Sequence, residues 1–155
     1  MDVSNRRWME LSEELVTDDH PGAIFLRNNL VDIRRGISDR HSSQLLLVPD
    51  EFVEKQWQGA AGVTIACGCV HVQFMYIRPK YRNSEMILRL FEKIAEVGQS
   101  ASYGYVMVHC PVIDGLESLH EFCSVLSQAQ NEEPAPAGEM VRIYSIPKSD
   151  FESVL

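Results

Sequence analysis

Apolar residues recur at helical spacing through the opening part of the chain and give way to short β-forming runs further on. Trp8, Leu11 and Leu15 lie three or four residues apart, which predicts a helix over 6–16 ended by the Asp18, Asp19, His20, Pro21, Gly22 turn. Ala23, Leu26, Leu30, Ile33 and Ile37 continue as the stripe of a second helix, with Arg27, Arg34 and Arg35 on its wet side and Gly36 near its end. The apolar runs 44–48 and 61–66 read as strands joined through 51–59, and the first stops at Pro49. Val70 to Ile77 is long, rich in β-formers and closed by Pro79, which makes it the central strand.

The helical period returns most clearly at Ile87, Leu90, Phe91, Ile94 and Ala95, with Gly98 as a stop, and Tyr105 to Val108 then forms another buried strand. Asp114 and Glu117 have capping-box spacing ahead of Leu116, Leu119, Cys123 and Leu126, so a helix is expected to start near Gly115. The polar stretch 128–139, with Pro134 and Pro136, reads as a mobile segment before a last strand over 140–146. Helices and strands in this order predict an α/β chain with a mixed sheet flanked by helices. The unit from Val70 to Val108 should carry two parallel strands joined by a right-handed crossover.

With 155 residues, 45% of them apolar, the expected organisation is one domain: a helical part over 1–43, a sheet-and-helix core over 44–146 and a tail over 147–155. The net charge of −8 argues against nucleic-acid binding, which draws on clustered Lys and Arg, and suits a cationic substrate. No stretch approaches the roughly 20 apolar residues of a membrane span, and the N-terminus lacks an apolar signal core, so a cytoplasmic protein without membrane contact is expected. Cys67, Cys69, Cys110 and Cys123 lie in segments that read as strand or helix, so reduced thiols are the expected state. Cys67, Cys69 and His71 sit two apart as metal ligands could, but the spacing departs from a zinc knuckle and small core cysteines are the simpler reading, with no metal expected.

The run Tyr76, Ile77, Arg78, Pro79, Lys80, Tyr81, Arg82, followed by an amphipathic helix and a strand, resembles the coenzyme A motif of the GNAT superfamily of acyl-coenzyme A N-acyltransferases. The match is good over Val70 to Val108, looser to Ile146 and slight before Gln44, where the family opens with a strand and this chain with two helices. The resemblance implies a mixed, mostly antiparallel sheet and transfer of an acetyl or other short acyl group from coenzyme A to a primary amine on a small molecule or protein. It places Tyr76 and Ile77 against the pantetheine, and Arg82, Asn83, Ser84, Glu85, Met86 and Ile87 around the pyrophosphate. Backbone N–H groups at a helix start favour such an anion. Glu85 and Ile87 stand where the family has small residues, so a carboxylate and extra bulk enter the anion loop. The alternative is a catalytically inactive protein of the same fold that serves as a protein-binding or regulatory module.

Acyl transfer to an amine needs a proton acceptor and an acid for the leaving thiolate. Strand alternation puts His71 on one face with Gln73, Met75 and Ile77, and a histidine titrates near neutrality, so His71 is the first candidate base and His109 the second. Where family members carry a tyrosine acid, this chain has Cys123, and Tyr144 of the last strand is the substitute. Closed two-fold assemblies are the commonest, so any oligomer is expected to be a homodimer.

Overall fold

The computed structural model describes residues 3–38, 43–50, 56–82 and 84–155. The chain begins with α1 (Val3–Val16) and α2 (Pro21–Ser38), then runs through β1 (Ser43–Pro49), β2 (Trp57–Ala66) and β3 (Cys69–Ile77). A single tight turn at Pro79–Tyr81 leads to α3 (Ser84–Gln99), β4 (Tyr105–Pro111) and α4 (Glu117–Leu126). β5 (Ala129–Pro134), β6 (Met140–Pro147) and α5 (Lys148–Glu152) complete it. The strands form one six-stranded sheet in the order β1-β2-β3-β4-β6-β5, antiparallel throughout except for the parallel β3–β4 pair. The order of elements predicts this mixed sheet flanked by helices, and the family resemblance implies its mostly antiparallel pairing. No helix among the described residues is long and apolar enough to cross a membrane.

Each sheet face has its own apolar layer. One face packs Val63, Val70, Val72, Val106 and Val108 under Leu90, Phe91 and Ile94 of α3, whose side chains are withdrawn from water. Each such residue contributes about 1.5–3 kcal/mol of burial. The other face carries Ala60, Phe74 and Tyr76 under Trp8, Leu11 and Leu15 of α1 and Ala23, Leu26 and Leu30 of α2.

A bulge in β3 decides which residues serve which layer. Val72 pairs with Val63 and Phe74 with Gly62, so Gln73 is an extra residue in the strand. Alternation reverses there: Val70 and Val72 face α3, and beyond the bulge Met75 and Ile77 take that side while Phe74 and Tyr76 face α1 and α2. The shared face expected for His71, Met75 and Ile77 is therefore corrected. His71 lies on the α1–α2 side of the sheet, with Thr64 as its partner on β2.

Other sequence expectations are corrected by local detail. Cys67 is exposed in the β2–β3 turn and not in a strand; it and Gly68 have φ of 53° and 75°, the left-handed pair that a two-residue hairpin turn requires. The stretch expected to be mobile forms β5, an exposed edge strand paired along its length with β6, where Arg142 bonds Glu132 across the pair. Both its faces are wet, so no apolar alternation marks it. The expected tail forms α5, which sends fully buried Phe151 against Phe91 at 4.7 Å between ring centroids. The α4 cap also differs: Leu116 holds the cap position, and Glu117 accepts from the Gly115 N–H at 3.0 Å without a bond from Asp114.

Candidate active site

β3 and β4 are paired only from Cys69 to Val72 and from Tyr105 to Val108. Beyond Val72 the β3 edge leaves β4, and the sheet opens between Gln73–Ile77 and His109–Pro111. The bulge lies at the point of divergence, in keeping with the bend that an unpaired extra residue gives a strand.

Two hollows flank this opening. On the α3 side, a hollow of about 470 Å³ is lined by Met75, Tyr76, Ile77, Arg82, Ile87, Leu90, Ser118 and Leu119, with His20 at the rim. On the α2 side, one of about 290 Å³ lies among α2, Gln73, Phe74, His109 and the β5–β6 hairpin. The two share Gly22, Met75, Leu116 and Leu119, so they meet through the gap in the sheet. Asn29, fully buried on α2, accepts from the Ala137 N–H at 2.8 Å and donates to Glu139 at 3.1 Å, which pins the hairpin turn to α2 and closes one wall.

A polar cluster sits beside the first hollow. Asp18 is 5% exposed in the α1–α2 loop, where it accepts from Tyr76 Oη at 2.6 Å and from the His20 N–H at 3.0 Å and forms an ion pair with Arg82. Burial alone would push the Asp18 carboxyl up, but the bonds from Arg82, Tyr76 and His20 outweigh it and hold the group below its ordinary value. Burial and the Asp18 bond push Tyr76 strongly up, which keeps it a neutral donor. Arg82 also donates from Nε to the Ile77 carbonyl at 3.0 Å and lies over the Tyr76 ring. His20 is held below its usual value by burial and by the Arg82 charge, and its Nδ1 accepts from the Gly22 N–H at 3.0 Å.

On the α2 side, the His71 and His109 rings stand 6.2 Å apart. Burial, with a smaller contribution from His71, lowers His109 to about 4, so its ring is neutral at physiological pH. Its Nε2 is buried without a hydrogen-bond partner among the described residues. His71 lines a neighbouring hollow that shares Gln73, His109 and Glu133 with the one along α2.

No family model matches this chain, and no curated protein matches it by sequence. Solved structures do match. A GNAT-family protein from Chromobacterium violaceum superposes with a TM-score of 0.68 at 10% identity, covering 98% of this chain and 82% of that one. A GNAT-family acetyltransferase from Staphylococcus aureus gives 0.59 at 15% identity over 95% and 96% of the two chains. A GNAT-family acetyltransferase from Elizabethkingia anophelis, solved with acetyl-CoA bound, gives 0.55 at 8% identity over 75% and 82%. The chain has the GNAT fold.

Within this GNAT fold the sequence-predicted site residues other than His71 separate into three groups. Tyr76, Ile77, Arg82 and Ile87 gather around the larger hollow, where Ile87 forms wall without closing it. Glu85 is exposed on the first turn of α3, Met86 is buried beneath that turn, and Asn83 and the Ser84 side chain lie outside the described residues. Cys123 and Tyr144 belong to the core. Cys123 is fully buried against Cys110, whose thiol is pushed up by that hydrogen bond and by burial, and Tyr144 is 1% exposed. The Tyr144 hydroxyl is 2.8 Å from His120 Nδ1; in the neutral ring Nε2–H donates to the Pro111 carbonyl at 2.7 Å, so Nδ1 accepts from the tyrosine. Neither Cys123 nor Tyr144 lines the two hollows at the opening, because the sheet register turns Tyr144 with its partner Val108 into the α3-side core.

Asp18, His20 and Ser118 are the site residues that the sequence reading missed. Asp18 and His20 were legible only as the break between two helices. The bonding of Asp18 to a strand and a loop some sixty residues later leaves no mark in local spacing.

Proposed function

We propose that this chain is an N-acyltransferase that moves an acetyl or other short acyl group from coenzyme A to a primary amine. The observation that carries the reading is the opening of β3 from β4, with two hollows that meet in the gap. Acetyl-coenzyme A would supply the acyl group. Its fit is supported by the β3 edge beyond Val72, which β4 leaves unpaired, and by the largely apolar hollow that ends near the first turn of α3. In this reading the β3 edge at Tyr76 and Ile77 orients the donor, while Arg82 and the first backbone N–H groups of α3 at Glu85, Met86 and Ile87 face its diphosphate. His71 takes the amine proton through solvent in the adjoining hollow on the α2 side, beside a His109 that stays neutral.

Heating the protein with acetyl-coenzyme A at about 100 times its dissociation constant should stabilise it by about 2.7 kcal/mol, read as a melting temperature raised by several degrees. Absence of both a shift and calorimetric heat rejects the transferase and leaves a GNAT-fold binding module. Replacing His71 by Ala should lower turnover by about a hundredfold while the melting shift persists. Unchanged turnover removes His71 from the reaction.

A further inference from the structure

We infer that His20 supplies the hydrogen bond that stabilises the tetrahedral oxyanion, through its Nε2–H beside the gap where the two hollows meet. This rests on the transferase reading above and adds a catalytic residue to it. Attack on a thioester builds negative charge on the carbonyl oxygen, and a donor fixed in place beforehand lowers that barrier most. The gap is bounded by Gly22, Met75, Leu116 and Leu119, whose side chains offer no donor. The polar side chains of the larger hollow are His20, Tyr76, Arg82 and Ser118.

Two of these four are engaged elsewhere. Tyr76 gives its hydroxyl hydrogen to Asp18, and Arg82 is paired with the same carboxylate and donates to the Ile77 carbonyl. Ser118 is exposed on the first turn of α4, where its hydroxyl can rotate. The His20 ring, by contrast, is held from two sides. Its backbone N–H donates to Asp18 at 3.0 Å, and its Nδ1 accepts from the Gly22 N–H at 3.0 Å. With Nδ1 occupied as an acceptor, the neutral ring carries its hydrogen on Nε2. Burial and the Arg82 charge keep the ring neutral at physiological pH.

That hydrogen has an open approach. His20 lines the larger hollow beside Gly22, one of the four gap residues, and its Nε2 has no hydrogen-bond partner among the described residues. On the Nε2 side its neighbour is Gly115, with φ of 90°, where a β-carbon would stand 3.5 Å from Nε2. No side chain there covers the edge of the ring. As the amine nitrogen bonds to the thioester carbon, the carbonyl π pair moves onto oxygen and Nε2–H donates to it. The pair then returns, the carbon–sulfur bond breaks, and its electrons leave with the coenzyme A thiolate. The amine proton passes to base, while the Nε2 hydrogen stays on the ring, because a neutral imidazole is too weak an acid to release it.

The test needs no acceptor. Calorimetric titration compares coenzyme A with its trifluoroacetonyl thioether, whose hydrated ketone imitates the tetrahedral adduct. His20→Leu should weaken the thioether at least about tenfold and leave coenzyme A within about twofold, the scale of one hydrogen bond to a charged oxygen. His20→Gln, which returns an amide N–H close to the position of Nε2, should recover most of that loss, and Ser118→Ala should change either affinity by no more than about twofold. In the unaltered protein the His20 Nε2–H proton resonance should move downfield with the thioether and stay in place with coenzyme A. An unmoved resonance overturns the inference even where His20→Leu does not fold. Equal loss of both compounds in His20→Leu, or an unchanged affinity for the thioether, reduces the ring to a piece of wall and overturns it as well. Failure of coenzyme A to bind the unaltered protein overturns the transferase reading and this inference with it.

Discussion

The two halves of the β3–β4 pair are built on opposite principles. From Cys69 to Val72 the strands are laddered, Val70 and Val72 are fully buried, and α3 and α5 seal the layer above. From Gln73 onward the same strands part, their side chains line hollows, and polar groups such as His109 and Gln73 occupy positions that a closed sheet would give to aliphatic residues. The closed half anchors the open half. A strand can hold an unpaired edge toward a ligand only if its other end is fixed by packing whose loss the fold could not absorb.

The sharpest way to break this contrast is to truncate the closed side. Phe151→Ala should cost about 3–5 kcal/mol in urea unfolding, because a fully buried ring packed against Phe91 leaves a cavity. Met75→Ala in the open half should cost about 1 kcal/mol or less, since its half-buried side chain already faces empty space, but should reduce the acetyl-coenzyme A melting shift. Similar costs at the two sites would erase the distinction.

Next in size, Asp18→Ala removes a buried carboxylate that joins three partners and should cost about 2 kcal/mol by urea midpoint. Its folded carboxyl lies below the ordinary aspartate value of 3.8, so its stabilisation is complete above that pH and fades as pH falls through the lowered value. The variant should therefore show a flatter loss of stability at the acid extreme.

A comparable effect at milder acidity tests the open half directly. The folded His109 titrates near 4 against 6.5 when unfolded, so the unfolded chain binds the extra proton between those values and stability rises with pH across the window. The protein should lose roughly 2 kcal/mol between pH 7 and pH 5, and His109→Gln should remove most of that slope. An unchanged slope would mean that the buried imidazole is not the source. A small effect, about 1 kcal/mol by urea midpoint, is also expected for Gly68→Ala, where a φ of 75° in the β2–β3 turn disfavours any side chain.

What the sequence disclosed follows the range of the interactions involved. α3 was legible because its stripe of Leu90, Phe91 and Ile94 repeats over several turns and lies against a single layer. The parallel β3–β4 pair was legible because a crossover helix leaves few other arrangements. β5 was not, because an edge strand wet on both faces carries neither period, and its pairing depends on β6. α5 was too short to show a stripe, and only Phe151 marked it. The hollow beside α3 was legible where a motif pointed to residues that line it, Tyr76, Ile77 and Arg82. The site was illegible where one residue changed the phase of a strand, at Gln73, or where a loop reached across the fold, at Asp18.

Gln73 gives this strand a peculiar vulnerability. Removing that single residue would mend the ladder with β2 and, in the same stroke, exchange the allegiance of every side chain from Phe74 to Ile77. Phe74 and Tyr76 would be carried under α3, and Tyr76 would be parted from Asp18. A one-codon deletion here would thus do more harm than most substitutions, and a sequence aligned across this strand with its gap misplaced by one position would assign residues facing α3 and residues facing α1 and α2 to the wrong sides.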